Sequence, residues 1–306
     1  MDPRYRYLAE TIGVELLVVP IAFPLTGDED IMDPVREALQ VNGTRVAVAV
    51  FSHIASMPVV LNPVQKLVAL CHSQNRRIPV IIDGAHAPGQ ILVDVSAIGA
   101  EVYIGDLHKW MFSPKGSAFI YVGSNATTAA GRHLHDALQP TTTTSDLSTG
   151  TMASRFHYVG TRDYTAYCAV NDAFKFREQF GDLNIMNYIF DLARRGGELI
   201  ARTWGSFTLV PTSMQPGMTN PVLPCRTPAA CNYLSSNLTG VEDIWMSGDQ
   251  LPSPGQYPSQ FCGTKNGLMV YWRLSAQIYL ELSDFERLAK GGFYCFETCP
   301  LLKLDD

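Results

Sequence analysis

At 306 residues, set against roughly 150 per domain, the chain has room for about two domains, and 46% apolar residues are enough for a sizeable core. Lys and Arg total 23 and Asp and Glu 29, a formal charge of −6 without long runs of one sign; that excludes the concentrated basic face that nucleic acid or an anionic membrane requires. The longest apolar stretch, Val14 to Leu25, is broken by Glu15, Pro20 and Pro24 and is too short to span a bilayer.

From Val14 to Val122 short apolar runs alternate with helical patterns, the mark of a mainly parallel sheet covered by helices on both faces. Val14–Val19, Arg45–Ser52 and Ile78–Asp83 read as interior strands rich in Val and Ile. Asp33 before Pro34 and Asn62 before Pro63 mark two helix starts, and Val64, Leu67, Val68 and Cys71 would turn one face of the second helix to the sheet. Strands are expected at Glu101–Gly105 and Ser117–Val122, followed by a polar loop over 123–160. Helices follow over 163–180, ended by Gly181, and from Asp182 to about Trp204, with Gly196-Gly197 a weak point. Beyond lie a helix near 227–238, a loop at 247–260, a strand at Leu268–Leu274 and a helix from about Ser283. The fold class is therefore α/β, with a large domain over 1–190 and a smaller α+β domain over 191–306. Seven scattered cysteines without a Cys-x-x-Cys point to thiols in a reducing compartment, with no metal site. No apolar segment behind the first arginines suggests secretion, so the expected location is the cytoplasm.

The segment from Ile78 to Trp110 carries the chemistry. Asp83 ends an apolar strand and precedes Gly84, which puts its carboxylate at the carboxyl edge of a parallel sheet, where open α/β folds bind ligands. Lys109 comes 26 residues later, just past the next predicted strand, so two neighbouring strand ends aim an acid and an amine into one crevice. Singly, the acid reads as a turn cap and the amine as a surface group; His86 and His108 beside them argue for a site.

Asp83-Gly84-Ala85-His86-Ala87 and His108-Lys109-Trp110, in register, resemble the cofactor site of the class V aminotransferase family of fold-type-I pyridoxal-phosphate enzymes, nearest its isopenicillin-N-epimerase-like and cysteine desulfurase and desulfhydrase branch. The resemblance runs from Leu8 to about Leu288. It implies pyridoxal 5'-phosphate as cofactor, Lys109 as the catalytic Schiff-base residue, Asp83 on the pyridinium nitrogen, His86 on the ring's 3' oxygen and His108 beside the phosphate and Lys109. A carboxylate against the ring nitrogen keeps its proton on and so strengthens the electron sink. Ser56, in Ser52-His53-Ile54-Ala55-Ser56, matches a polar position near the ring or is a turn cap. Thr161, after Gly160, matches a residue that reaches the phosphate of a neighbouring subunit, implying a homodimer, or is a helix cap. Arg273 matches the arginine that grips the substrate carboxylate, a task suited to a bidentate donor.

The implied function is an enzyme acting at the α-carbon of an amino acid, by epimerisation, β-elimination or transamination. Some features depart from the family pattern. The upstream phosphate-binding helix start and ring-stacking residue have no counterpart before Met1, Tyr5 and Tyr7 lying nearest to the latter. This raises the alternative of a shortened or decayed member acting as a scaffold, or of further residues upstream in the natural protein. Asp106 stands where relatives carry an uncharged polar residue, and would repel a phosphate unless turned away or paired. Tyr279-Leu280 replaces a frequent Tyr-Asn, and Cys262, 11 residues before Arg273 in the region where desulfurases carry a persulfide-forming cysteine, reads as a buried or incidental thiol because the residues around it do not match that loop.

Overall fold

The computed structural model describes residues 13–123, 131–138, 152–157, 160–224, 246–252 and 268–298, with a few further positions at 7–11 and 233–244. The helix expected near 227–238, Tyr5 and Cys262 lie wholly or largely outside those residues.

Strands β1 (Ala49–Ser52), β4 (Val80–Asp83), β5 (Val102–Asp106) and β6 (Ala118–Val122) form one sheet in the order β1-β4-β5-β6, parallel except for β6. Between β1 and β4 come the antiparallel hairpin β2 (Ile54–Ser56) with β3 (Val59–Leu61), and helix α2 (Val64–His72). Val64, Leu67, Val68 and Cys71 of α2 are buried at the spacing of one helical face, together with Val80, Ile82 and Tyr103. That face of the sheet is the first core. On the opposite face Val50, Ile104 and Ile120 each remain more than a third exposed.

Up to residue 160 four local expectations are corrected. Residues 14–19 form no strand, and Val14, Leu17 and Val18 are exposed: an apolar run becomes a strand only where a neighbour supplies the ladder hydrogen bonds. Helix α1 (Glu29–Asn42) starts well before Pro34, at a turn where the Asp30 carboxylate accepts the amides of Thr26 and Gly27. Asn62 is no cap; its amide donates to the Ser52 carbonyl at 2.9 Å and fastens the hairpin to the end of β1. The polar stretch 123–160 includes short helices α4 (Arg132–Ala137) and α5 (Met152–His157), after α3 (Val95–Ile98).

Helices α6 (Thr165–Cys168), α7 (Val170–Phe180) and α8 (Asp182–Thr203) follow, with Gly181 at φ +79° supplying the left-handed turn between the last two. The pair Gly196-Gly197 does not interrupt α8. A side chain at 196 would start 2.2 Å from the Phe285 ring and one at 197 would start 2.3 Å from the Thr219 hydroxyl. The two glycines are a notch into which α9 (Leu282–Thr298) and β7 (Met218–Thr219) pack. The segment at 247–252, expected as loop, is strand β8 (Ser247–Pro252), paired antiparallel along β9 (Leu268–Ser275). Its partner's ladder outweighs the poor strand propensity of its Gly, Asp and Pro. A second core gathers Ile189, Ala193 and Ile200 of α8 with Trp272, Leu274, Phe285, Ile54 and Trp110. Both cores draw on residues from either side of residue 190.

Candidate active site

Three parallel strands end at one edge, with Ser52 of β1 level with Asp83 of β4, and Asp83 level with Ile104 of β5. Beyond this edge lie His53 and the loops 84–91 and 107–113. Under them stands Tyr103, whose hydroxyl shares a 3.0 Å hydrogen bond with Nδ1 of His53. Burial pushes the His53 imidazole down to about 4, so it is neutral at pH 7. Gly84 is where it is because a Cβ there would lie 2.1 Å from Cζ of Tyr103. Asp83 closes the turn, accepting the Ala85 amide on Oδ1 at 3.0 Å; among the described residues nothing else bonds its side chain.

Lys109 is 2.8 Å from the Asp106 carboxylate, and Nε2 of His108 lies 3.8 Å from the same oxygen. The other ring nitrogen of His108 donates to the Ser117 carbonyl at 2.9 Å. Asp106 is thus paired, one of the two conditions under which a carboxylate is tolerable beside an anion site.

Lys109 opens onto a cleft of about 410 Å³ lined also by His86, Trp110, Met218, Arg273, Ser275, Gln277 and Tyr279. Arg273 enters from β9; its Nε is buried without a hydrogen-bond partner, an uncommitted donor suited to a carboxylate. Nδ1 of His86 accepts the indole N–H of Trp110 at 3.3 Å. Burial, reinforced by the nearby charges of Lys109 and Arg273 and opposed by Asp106, pushes His86 down to about 4.

Of the seven residues singled out from the sequence, His86, Lys109 and Arg273 line this one cleft. Asp83 and His108 stand at the same sheet edge, His108 joined to Lys109 through Asp106. Among the described residues the lining includes neither Ser56, at the tip of the β2–β3 hairpin, nor Thr161, four residues before α6. Sequence reasoning gave no role to Met218, Ser275, Gln277, Gln90 or Arg177. Gln90 donates to the His86 carbonyl at 2.6 Å and accepts the Gly217 amide at 2.9 Å, across 127 positions of chain. No local pattern signals a contact of that span.

A family model described as aminotransferase class-V matches residues 7–221. The chain belongs to the class-V aminotransferase family. Members of this family are pyridoxal-phosphate enzymes, and the α/β architecture seen here is that of fold type I. An L-cysteine desulfhydrase from Arabidopsis thaliana is 30% identical over 293 residues, covering 90% of this chain and 61% of that protein. The isopenicillin N epimerase of Streptomyces clavuligerus is 29% identical over 210 residues, covering 63% of this chain and 50% of its own. A cysteine desulfurase from Thermococcus onnurineus NA1 superposes with a TM-score of 0.65 at 15% identity, over 94% of this chain and 68% of that one. The chain spans about three fifths of the length of the desulfhydrases it matches. No helix among the described residues is long and apolar enough to cross a membrane.

Proposed function

We propose that this class-V aminotransferase relative binds pyridoxal phosphate and an amino acid in the cleft between β5 and β9, and acts at the substrate α-carbon. The observation that carries the reading is the convergence of an amine, Lys109, a neutral imidazole, His86, and a guanidinium with an unused buried donor, Arg273, on one cleft. When bound, the cofactor supplies an electron sink for charge that develops at the α-carbon.

The chain's own residues divide the rest of the work. Arg273 holds the substrate carboxylate with its planar fork, which fixes the α-carbon relative to Lys109. Lys109 attaches the cofactor and, once released, carries the α-proton; for either task its amine must first leave the ion pair with Asp106, because an ammonium ion is no nucleophile. Asp83, with one oxygen uncommitted among the described residues, keeps the proton on the ring nitrogen. His86, neutral at working pH, donates a hydrogen bond to a ring oxygen. His108 and Ser56 complete the surroundings of the cofactor in this reading, and Thr161 serves the phosphate of a neighbouring subunit. The protein is accordingly a cytoplasmic homodimer. β-Elimination from a sulfur amino acid is the favoured outcome, because four of the similar proteins carry the name L-cysteine desulfhydrase.

The test is spectroscopic. Pyridoxal phosphate added to the purified chain should produce an absorbance band near the visible edge that is missing in Lys109→Ala. No band at saturating cofactor would overturn the assignment and leave a non-catalytic scaffold. With the band in hand, release of sulfide and pyruvate from L-cysteine should be detectable and should fall by ~100-fold in Arg273→Ala. Sedimentation velocity should report a dimer; a monomer that binds cofactor tightly would remove Thr161 from the site.

A further inference from the structure

The indole N–H of Trp110, a residue only 6% exposed, can only donate, and it meets Nδ1 of His86 at 3.3 Å. A neutral imidazole carries one proton, so a ring that accepts at Nδ1 must hold that proton on Nε2. Trp110 is itself held through its main chain. Arg177 of α7, 1% exposed, donates one terminal nitrogen to the Trp110 carbonyl at 2.7 Å and the other to the Gly89 carbonyl at 3.1 Å. Its third nitrogen pairs with Asp182, and the guanidinium lies 5.0 Å from the centre of the Phe112 ring. One buried side chain therefore pins the loop of His86 to the loop of Lys109. The two loops also touch directly: Gly89 has φ +87°, and a Cβ there would sit 2.5 Å from the Trp110 carbonyl oxygen. Phe112, at φ 66°, holds a left-handed conformation rare for an aromatic residue, at the point where the guanidinium packs on its ring.

We infer that Trp110 is the positioning residue that fixes His86 in its Nε2–H tautomer, making it a dedicated hydrogen-bond donor for a ligand oxygen, and that Arg177 is the clamp holding Trp110 in register. The reading under Proposed function supplies only the identity of that oxygen; the tautomer itself is a property of the ligand-free chain. A donor set in advance has its bond ready without ring rotation or proton exchange when the acceptor arrives.

The experiment uses the full chain without cofactor, labelled with 15N in its histidines and followed by long-range proton–nitrogen correlation, with His86→Gln for assignment. His86 should appear as the Nε2–H tautomer at pH 7 and stay neutral down to about pH 5. The charged groups that face it are Lys109 and Arg273, which oppose its protonation, and Asp106, which favours it, so all three are retained in every variant. Trp110→Phe keeps a ring in the wall and removes the N–H; both tautomers should then be populated, and the titration midpoint should rise by ~0.5 to 1 unit. Arg177→Lys, which cannot span both carbonyls, should move the His86 signals in the same direction. A wild-type spectrum showing Nδ1–H overturns the inference without any variant, and so does a folded Trp110→Phe whose His86 nitrogens are unchanged, which is what a merely space-filling tryptophan would give. If the expected tautomer is found but pyridoxal phosphate produces no Lys109-dependent band, the functional reading fails and this inference stands.

Discussion

Gly84 and Asp106 show how much a single position decides at this site. Tyr103 fills the space next to the Gly84 α-carbon and bonds to His53, so Gly84→Ala forces the phenol to move or the strand end to shift. The expected loss is about 2 kcal/mol of folding free energy, as for other overpacked sites, readable as a lower urea midpoint with an unchanged slope. Asp106 holds Lys109 in an ion pair, half-buried at the rim of the cleft. Replacing it with Asn removes the partner that keeps the amine occupied. The initial rate of adduct formation with pyridoxal phosphate should therefore rise, by ~threefold given the worth of a partly exposed pair. A slower rate in Asp106→Asn would assign Asp106 to proton removal instead. The pairing was not legible in the sequence. There Asp106 stood only as a charge in an awkward place, because i to i+3 proximity across a strand end depends on how the following loop turns.

At the scale of elements, β4 and β5 are joined by more than their ladder. Glu101, fully buried just before β5, accepts the Val80 amide at 2.7 Å and pairs with Arg77 at 3.1 Å and His72 at 3.2 Å. Burial raises its proton affinity, but the bonds from His72, Val80 and Arg77 outweigh it and hold the carboxyl below its ordinary value. A depressed carboxyl contributes stability that is complete above its unfolded value, near pH 4.5, and is lost as pH falls through the folded one. Glu101→Gln should cost about 3 kcal/mol at pH 7 by stranding the partners of a buried charge. It should also flatten the part of the stability profile below pH 4.5, which chemical denaturation at stepped pH will check. Strands β4 and β5 were legible as short apolar runs, and helices α2 and α8 as periodic patterns that each bury one face, because both kinds of signal are local to the chain. Residues 14–19 and 247–252 were misread in opposite senses for one reason: whether a strand exists is settled by the partner beside it, which local composition does not name.

Across the whole molecule, the acid side of the stability curve should carry a histidine signature. His53 and His86 are both held near 4 in the folded chain, chiefly by burial, against an ordinary value of 6.5. An unfolded chain takes up protons below pH 6.5 that the folded chain refuses until about 4, so stability is complete above 6.5 and falls steadily between the two. For the deeply buried His53 the loss is ~3 kcal/mol across that window. Denaturation midpoints of His53→Gln should decline less between pH 6.5 and 4 than those of the parent chain; parallel declines would show that His53 is accessible to protons. The amino-acid sequence by itself determined the α/β class, from its alternation of apolar runs and helical patterns, and the family, from motifs contiguous in the chain; through that resemblance it also nominated the acid, imidazoles, amine and guanidinium on which the functional reading rests. Only the tertiary structure decided that Arg273 meets Lys109 and His86 at one cleft, that Arg177 and Gln90 hold the two site loops, and that Trp110 sets the face His86 presents. Those contacts span tens to more than a hundred positions, and packing between distant segments, unlike propensity, leaves no mark in the residues on either side.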